Sequence, residues 1–202
     1  MNRGLMIVIE GCDRAGKSTQ CERLVNHLRQ KGTAVELLKT TQTGKMIDDY
    51  LRQKNELDDH AIHLLFSANR WEAMKTIEEK LKKGITLVID RYAFSGVAFS
   101  TAKGLDFAWC KQPDVGLISP DLVLFLDLSI DEARKRGGFG EERYEKYDLQ
   151  IKVRKEFRKL KDERWKFIDA SQSMEKIEQD ILNKVTEAAA TTERDIEYNL
   201  WK

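Results

Sequence analysis

Short apolar runs and longer amphipathic segments alternate along the chain. The apolar runs have the length of β-strands, and they occupy residues 6–9, 34–38, 84–92, 121–127 and 166–169. The first run, from Met6 to Ile9, is continuously apolar and rich in β-branched residues, which is typical of a strand buried on both faces of a sheet. We therefore predict five strands.

The segments between these runs carry apolar residues at helical spacing. They predict helices over residues 19–29, 43–53, 58–82, 131–135, 148–161 and 174–188. In the longest of them, Phe66, Trp71 and Leu81 belong to an apolar set that a sheet or a partner has to cover. Because strands and helices alternate, the chain predicts an α/β fold with a doubly wound parallel β-sheet flanked by helices.

Composition and charge narrow the class of protein. The chain has 202 residues, enough for one α/β domain over residues 1–202. Lysine and arginine number 35 against 34 acidic residues, and no long single-sign run stands out, so no nucleic-acid partner is expected. No stretch approaches membrane-spanning length, so no membrane partner is expected either. The scattered Cys12, Cys21 and Cys110 fit reduced thiols in the cytoplasm.

The loop after the first strand carries the most specific chemistry. Residues 11–18, GCDRAGKS, fit the pattern G-x-x-x-x-G-K-[ST], and the strand before and the helix after disfavour a chance match in a glycine turn. Backbone N–H groups and a helix N-terminus attract phosphate there, Lys17 supplies a cation, and the Ser18 hydroxyl can hold Mg²⁺. The predicted ATP phosphate-binding residues are Gly11, Asp13, Arg14, Ala15, Gly16, Lys17, Ser18 and Thr19.

Two further segments carry charge where a phosphate ligand would need it. Asp90 and Arg91 end a buried strand, and in an open parallel sheet that position faces the ligand crevice, although a structural ion pair is the alternative. Residues 135–146 contain three glycines between Arg136 and Arg143. We interpret this segment as a lid that closes over phosphates, and a solvated turn with charged flanks is the alternative.

Long blocks of the chain resemble one family, the eukaryotic-type thymidylate kinases, within the nucleoside monophosphate kinases of the P-loop NTPase class. The resemblance implies transfer of the γ-phosphoryl group of ATP to dTMP, with Mg²⁺ as cofactor, dTDP and ADP as products, and a homodimeric enzyme. The expected location is the cytoplasm, as the cysteines indicate, with the nucleus or mitochondria as further options. The matching blocks are EGCDRAGKSTQ at 10–20, HLLFSANRWE at 63–72, TLVIDRYAFSGVAFS at 86–100, WCKQPDVGL at 109–117, PDLVLFLDL at 120–128, RGGFGEERYE at 136–145, and the terminal LWK.

The resemblance implies roles for the charged residues. Arg14 takes the position of a catalytic arginine aimed at the transferring phosphoryl group, and how it divides that role with the lid arginines Arg136 and Arg143 stays open. Asp90 is implied to orient Mg²⁺ or the acceptor phosphate, and Arg91 to clamp that phosphate. The predicted catalytic residues are thus Arg14, Lys17, Asp90 and Arg91, and the predicted metal residues are Ser18 and Asp90.

The resemblance also implies a dTMP site. Asp13 is implied to contact the 3′-hydroxyl of the sugar, Phe66 to stack on thymine, and Arg70 to bind the base. Without the resemblance, Asp13 reads as a turn residue, Phe66 as core and Arg70 as a solvated cation. The predicted dTMP-binding residues are Asp13, Phe66, Arg70, Arg91, Ser95, Gly96, Phe99 and Tyr144.

One departure from the family and two rival functions stay open. Thymidylate kinases continue after the second strand with a Phe-Pro-x-Arg segment, which is absent between Lys39 and Thr43 either through deletion or because loop residues are missing from the sequence. A kinase for another monophosphate, such as dUMP, is the rival within the fold. A nucleotide-binding switch or scaffold is the rival from another class, and Arg14, Asp90 and the lid arginines argue against it.

Overall fold

The five predicted strands form one parallel sheet. The structure is a computed structural model, and it describes residues 3–38, 44–136, 140, 142–191 and 195–202. The strands pair in the order β2-β3-β1-β4-β5, and every pairing is parallel. The predicted doubly wound parallel sheet is therefore confirmed. The strands are β1 (Met6–Gly11), β2 (Val35–Leu38), β3 (Thr86–Asp90), β4 (Leu122–Asp127) and β5 (Trp165–Asp169).

The predicted helices are present, with ends that differ by a few residues, and the described residues contain two more helices that the apolar pattern did not predict. A short 3-10 turn, Gln112–Asp114, follows the second of these. The helices are α1 (Lys17–Gln30), α2 (Gly44–Leu51), α3 (Asp59–Lys82), α4 (Ala93–Ala102), α5 (Phe107–Lys111), α6 (Ile130–Lys135), α7 (Tyr147–Lys159) and α8 (Met174–Thr191).

The helices α4 and α5 escaped prediction for different reasons. Eight of the ten residues of α4 are buried, so the helix is apolar on all sides and shows no polar face. Helix α5 has only five residues, which is too short for a helical period to emerge. Both helices follow β3, and α4 lines the crevice at the end of that strand through Ser95, Gly96, Phe99 and Ser100.

Two apolar layers cover the two faces of the sheet. Met6 and Val8 of β1 pack on one face with residues of α3, α4 and α7. Ile7 and Ile9 pack on the other face with residues of α1 and α8. Because side chains alternate along a strand, Glu10 shares the face of Met6 and Val8 and lies beneath α4.

The sheet does not cover Trp71, a member of the predicted apolar set of α3. Trp71 is 44% exposed, and its indole Nε1 donates a hydrogen bond to the carbonyl of Pro113. The buried side of α3 instead includes the polar residue His63, which is 1% exposed and lies within hydrogen-bond distance of Ser100 Oγ and the Cys110 carbonyl. His63 is tolerated in the core because its ring nitrogens have hydrogen-bond partners, although the apolar pattern of the sequence did not place it there.

Some sequence predictions fall outside the described residues. The missing Phe-Pro-x-Arg segment concerns residues 39–43, and the glycine-rich centre of the lid concerns residues 137–139 and 141. Within the described ranges, no helix combines the length and apolarity needed to cross a membrane.

Candidate active site

The predicted phosphate loop joins β1 to α1 at the carboxyl end of the sheet. Gly11 and Gly16 have φ angles of +151° and +92°. A Cβ atom on Gly11 would lie 2.8 Å from the carbonyl oxygen of Leu126, so the loop requires glycine at this position. Helix α1 begins at Lys17, which puts a helix N-terminus at the loop and makes the place attractive to phosphate.

Lys17 is buried at the base of this loop. Its ammonium Nζ donates a 2.7 Å hydrogen bond to the carbonyl oxygen of Cys12. Burial, assisted by the nearby positive charge of Arg91, lowers the pKa of Lys17 to about 8. A phosphate ligand would add negative charge beside Lys17 and stabilise its charged form.

A proton should therefore be taken up when ATP binds. At about pH 8.5, Lys17 is mostly neutral in the ligand-free chain. ATP phosphates raise the pKa of Lys17 again, whereas a terminal phosphate with a pKa of about 6 takes up no proton at this pH. Calorimetric titrations in buffers with different ionisation enthalpies measure the uptake. A Lys17→Met variant should lose it, and a buffer-independent binding enthalpy for the unmutated chain would contradict the prediction.

Ser18 and Asp90 meet at the mouth of the phosphate loop. The Ser18 hydroxyl donates a 2.5 Å hydrogen bond to Asp90 Oδ2. The other carboxylate oxygen, Asp90 Oδ1, is buried and has no hydrogen-bond partner among the residues that the structure describes. A buried carboxylate oxygen without a partner is costly, and a hard cation such as Mg²⁺ would satisfy it. The pair fits the predicted magnesium site.

Arg91 lies between the phosphate loop and the crevice beside it. Its backbone is left-handed, with a φ of +69°. One guanidinium nitrogen, Nη1, donates to the Gly11 carbonyl and to Ser95 Oγ, both at 3.1 Å, and the other forms an ion pair with Asp13. The guanidinium also lies 5.3 Å from the ring centroid of Phe99. The structure thus brings four predicted site residues around one cation.

The sequence did not identify Gln150 of α7, which holds the phosphate loop in place. Its side-chain Oε1 accepts from the Asp13 backbone N–H at 3.0 Å, and its Nε2 donates to Asp13 Oδ2 at 2.6 Å. The same Nε2 donates to the Tyr144 carbonyl at 2.9 Å. Gln150 shares a helix face with the buried residues Val153 and Phe157. A glutamine on an apolar helix face was the available signal.

Arg14 points back toward the lid. Its Nε lies 2.5 Å from Glu145 Oε1, and its Nη2 lies 3.2 Å from Glu145 Oε2. Burial raises the pKa of Glu145, but hydrogen bonds from Arg14 and from the backbone of Glu142 and Gly140 outweigh it and leave the pKa below its usual value. Glu145, another residue that the sequence did not identify, is therefore an ionised anchor for the loop arginine.

The two lid arginines serve different contacts. Arg136 donates to the Arg14 carbonyl at 2.8 Å and to the Ala170 carbonyl at 2.9 Å, so it ties the phosphate loop to the end of β5. Arg143 faces α2 instead. Its Nε donates to the Tyr50 carbonyl at 2.7 Å, and its guanidinium lies 4.1 Å from the Tyr50 ring centroid and pairs with Glu56.

A cavity of about 290 Å³ opens beside the phosphate loop. At its far end, Arg70 makes a bidentate ion pair with the fully buried Asp114, at 3.0 and 2.6 Å. A Cβ atom on Gly96 would lie 3.0 Å from Arg70 Nη2, so glycine leaves room for that guanidinium. The predicted dTMP residues that line the cavity are Asp13, Phe66, Arg70, Arg91, Ser95, Gly96, Phe99 and Tyr144.

Aromatic rings form one wall of this cavity. The ring of Tyr144 lies 5.3 Å from that of Phe99 and 6.1 Å from that of Tyr50, measured between centroids. The Tyr144 hydroxyl accepts from Lys103 Nζ at 3.3 Å. This cavity has an aromatic wall, an anchored arginine at one end and a cationic phosphate site at the other. Such a cavity suits a nucleoside monophosphate.

Together, the strand order, the phosphate loop after the central strand and the adjoining cavity define the P-loop nucleoside monophosphate kinase fold. A family model described as thymidylate kinase matches residues 9–181. The chain belongs to the thymidylate kinase family.

Individual relatives agree with this family. The chain is 53% identical to a thymidylate kinase of Schizosaccharomyces pombe, covering 92% of this chain and 93% of that one. It is 50% identical to a human thymidylate kinase, covering 99% and 98%. The human alignment runs over 208 positions against the 202 residues here, so it includes positions at which this chain has no residue. A solved thymidylate kinase structure from Candida albicans superimposes with a TM-score of 0.88 at 34% identity, covering 98% and 99%.

Proposed function

We propose that the chain transfers the γ-phosphoryl group of ATP to the 5′-phosphate of dTMP and releases ADP and dTDP. The observation that carries this function is the placement of Arg91 between the phosphate loop and the cavity, with contacts to both. A donor phosphate at the loop and an acceptor phosphate in the cavity would then both lie next to the Arg91 guanidinium. Family membership supports the same reaction.

The main work of these residues is to bring two polyanions together. Phosphoryl transfer gains mostly from alignment and from cations around the transferring group. Lys17 supplies a cation on the donor side, Arg91 supplies one on the acceptor side, and Arg14 supplies a third within the phosphate loop. Arg136 supports Arg14 by donating a hydrogen bond to the Arg14 backbone carbonyl. Arg143 is proposed to act on the lid and α2 rather than on phosphate, because its hydrogen bonds go there.

Ser18 and Asp90 are the residues that would hold Mg²⁺. The cation, when bound, would neutralise charge on the donor phosphates. Asp90 Oδ1 and the Ser18 hydroxyl are oxygen donors of the kind that this cation prefers, which supports the assignment.

The acceptor nucleotide is proposed to lie along the cavity. Phe66 and Arg70 would contact the base, with Arg70 held in place by Asp114. Ser95, Gly96 and Phe99 would line the middle, and Tyr144 would lie near the sugar. Asp13 would accept a hydrogen bond from the 3′-hydroxyl.

The role of Asp13 leads to a test of sugar recognition. Asp13→Asn is expected to reduce the preference for dTMP over its 3′-deoxy analogue by about tenfold, the usual scale for a hydrogen bond to a charged acceptor. The ratio of the two kcat/KM values measures this preference. Because both nucleotides carry the same 5′-phosphate, disturbance of the Asp13–Arg91 ion pair affects them equally and cancels in the ratio. An unchanged ratio would remove Asp13 from the sugar site.

The decisive experiment is a coupled assay of ADP release over a panel of acceptors. With ATP and Mg²⁺, we expect turnover with dTMP to exceed turnover with dUMP, dGMP and thymidine. Faster turnover of dUMP would reassign the enzyme to another monophosphate. Tight ATP binding with no acceptor-dependent ADP release would instead make the chain a nucleotide-binding switch or scaffold.

We also propose that the enzyme is one domain over residues 1–202, is homodimeric and works in the cytoplasm. The exposed side of α3 supports the dimer, because Leu64 and Trp71 there are 46% and 44% exposed. The free, buried cysteines fit a reducing compartment. Sedimentation of the purified chain measures the oligomeric state, and a Trp71→Glu variant should shift it toward monomer.

A further inference from the structure

A fully buried carboxylate, Glu10, lies directly beneath the acceptor side of the site. It belongs to β1, immediately before Gly11, the first residue of the phosphate loop, and it is 0% exposed. Its Oε1 accepts from the backbone N–H groups of Tyr92 at 2.9 Å and of Ser95 at 3.1 Å. Its Oε2 accepts from the Ser95 hydroxyl at 2.6 Å. Three donors thus converge on a group that, when ionised, only accepts.

The first two hydrogen bonds fix the start of α4. Tyr92 is the N-cap of that helix, and its side chain makes no capping hydrogen bond. In a capping box, two side chains within the helix satisfy the N–H groups of the N-cap and of the third helical residue. Here Glu10 satisfies both from a neighbouring strand, and an acceptor side chain suits the positive end of the helix. The peptide bond between Arg91 and Tyr92 is therefore held in place by Glu10.

The third hydrogen bond fixes the direction of the Ser95 hydroxyl. That hydroxyl has one hydrogen, and Glu10 accepts it. The lone pairs of Ser95 Oγ are then left to accept from Arg91 Nη1 at 3.1 Å. Through this relay, a carboxylate that does not itself line the cavity governs one of the contacts of the Arg91 guanidinium.

We propose that Glu10 is a positioning residue for acceptor binding, which holds the backbone of Arg91 through Tyr92 and its guanidinium through Ser95. This role rests on the proposed function, in which Arg91 binds the 5′-phosphate of dTMP. The left-handed backbone of Arg91, with a φ of +69°, makes such support necessary, since a non-glycine residue adopts it only when its surroundings enforce it.

The test replaces the acceptor without changing the size of the side chain. In Glu10→Gln, the amide NH₂ group faces either the two backbone N–H groups, which can only donate, or the Ser95 hydroxyl, which then has to accept from it and turn its own hydrogen away from residue 10. We expect the KM for dTMP to rise about tenfold and the KM for ATP to stay within about twofold, because only the acceptor side loses support. In Glu10→Gln/Ser95→Ala, the increase should be smaller than the product of the two single effects, because both act on the same contact.

Asp121→Asn is the matched control. Asp121 is another mostly buried carboxylate; it accepts from the Met6 backbone N–H at 2.7 Å and from Arg3, at the opposite end of β1. The Asp121→Asn substitution should lower the melting temperature with little effect on the KM for dTMP. If Glu10→Gln behaves like this control, or raises both KM values equally, the positioning role is wrong.

Two further outcomes have different consequences for the proposal. If Glu10→Gln fails to fold, Glu10→Asp replaces it, since a carboxylate shortened by one methylene cannot reach both Tyr92 and Ser95, and the same selective increase in the KM for dTMP is required. If the unmutated chain phosphorylates no dTMP, the proposed function itself fails. An active unmutated chain with an unchanged KM in both Glu10 variants overturns only the role of Glu10.

Discussion

Replacing Lys17 by alanine is expected to lower kcat by about 10²- to 10³-fold, the range seen when one preorganised donor to a transition state is removed. ATP affinity should fall as well, but less, because the cation faces phosphate in both the ground state and the transition state. The side chain is buried against the Cys12 carbonyl, so its ammonium is already placed and partly desolvated before ATP arrives. Steady-state kinetics and ATP titration measure the two effects separately.

Lys31→Ala provides the control for this substitution. Lys31 is the C-cap of α1, the helix that begins at Lys17, and its side chain is exposed. The control should leave both kcat and ATP affinity unchanged. Turnover near that of the unmutated chain in Lys17→Ala would contradict the assignment of residues 11–18 as the phosphate loop.

Replacing Arg14 by lysine is expected to lower kcat by about 10³-fold, the lower end of the range for a catalytic arginine, with little change in KM for ATP or dTMP. Lysine keeps the charge, but it lacks the planar fork that aligns two donors at once. Arg14 uses that fork in the present structure to bind both oxygens of Glu145. Its Lys replacement can pair with Glu145 at one point only, so the alignment of the cation is lost.

Two comparison variants complete this experiment. Arg29→Lys changes an exposed arginine of α1 and should have no effect. Arg136→Lys measures the contribution of the lid, which should be smaller, because Arg136 already donates to two backbone carbonyls. A loss confined to KM in Arg14→Lys would make Arg14 a binding residue. A larger loss of kcat in Arg136→Lys would move the catalytic role to the lid.

Residues whose role depends on neighbours in sequence were predictable. The phosphate loop is one such case, because its glycine spacing, its lysine and the helix that follows all lie within a few residues of one another. Asp90 and Arg91 were also predictable, because the end of a buried parallel strand faces the crevice whatever the rest of the chain does. The proposed magnesium role of Ser18 also followed from the phosphate-loop pattern, whereas that of Asp90 rested on the family resemblance.

Residues whose role depends on distant partners were not predictable. Gln150 contacts Asp13 across 137 positions of sequence, Glu145 contacts Arg14 across 131, and Glu10 contacts Ser95 across 85. The glutamine on an apolar helix face indicates burial but not its partner, and the two glutamates carry no functional pattern as isolated residues. Arg143 shows the reverse: its place in the lid suggests a phosphate contact, but its hydrogen bonds go to Tyr50 and Asn55.

The sequence by itself determined the strands, six of the helices, the parallel sheet and the phosphate loop, because these follow from side-chain periodicity and from the local conformation of glycine. It also carried the family resemblance, which the relatives confirm. Only the tertiary structure decided which carboxylate holds which arginine, and that α4 lies buried over Glu10. Those outcomes depend on which elements the sheet brings side by side, and a charged side chain takes its partner from that neighbourhood rather than from its neighbours along the chain.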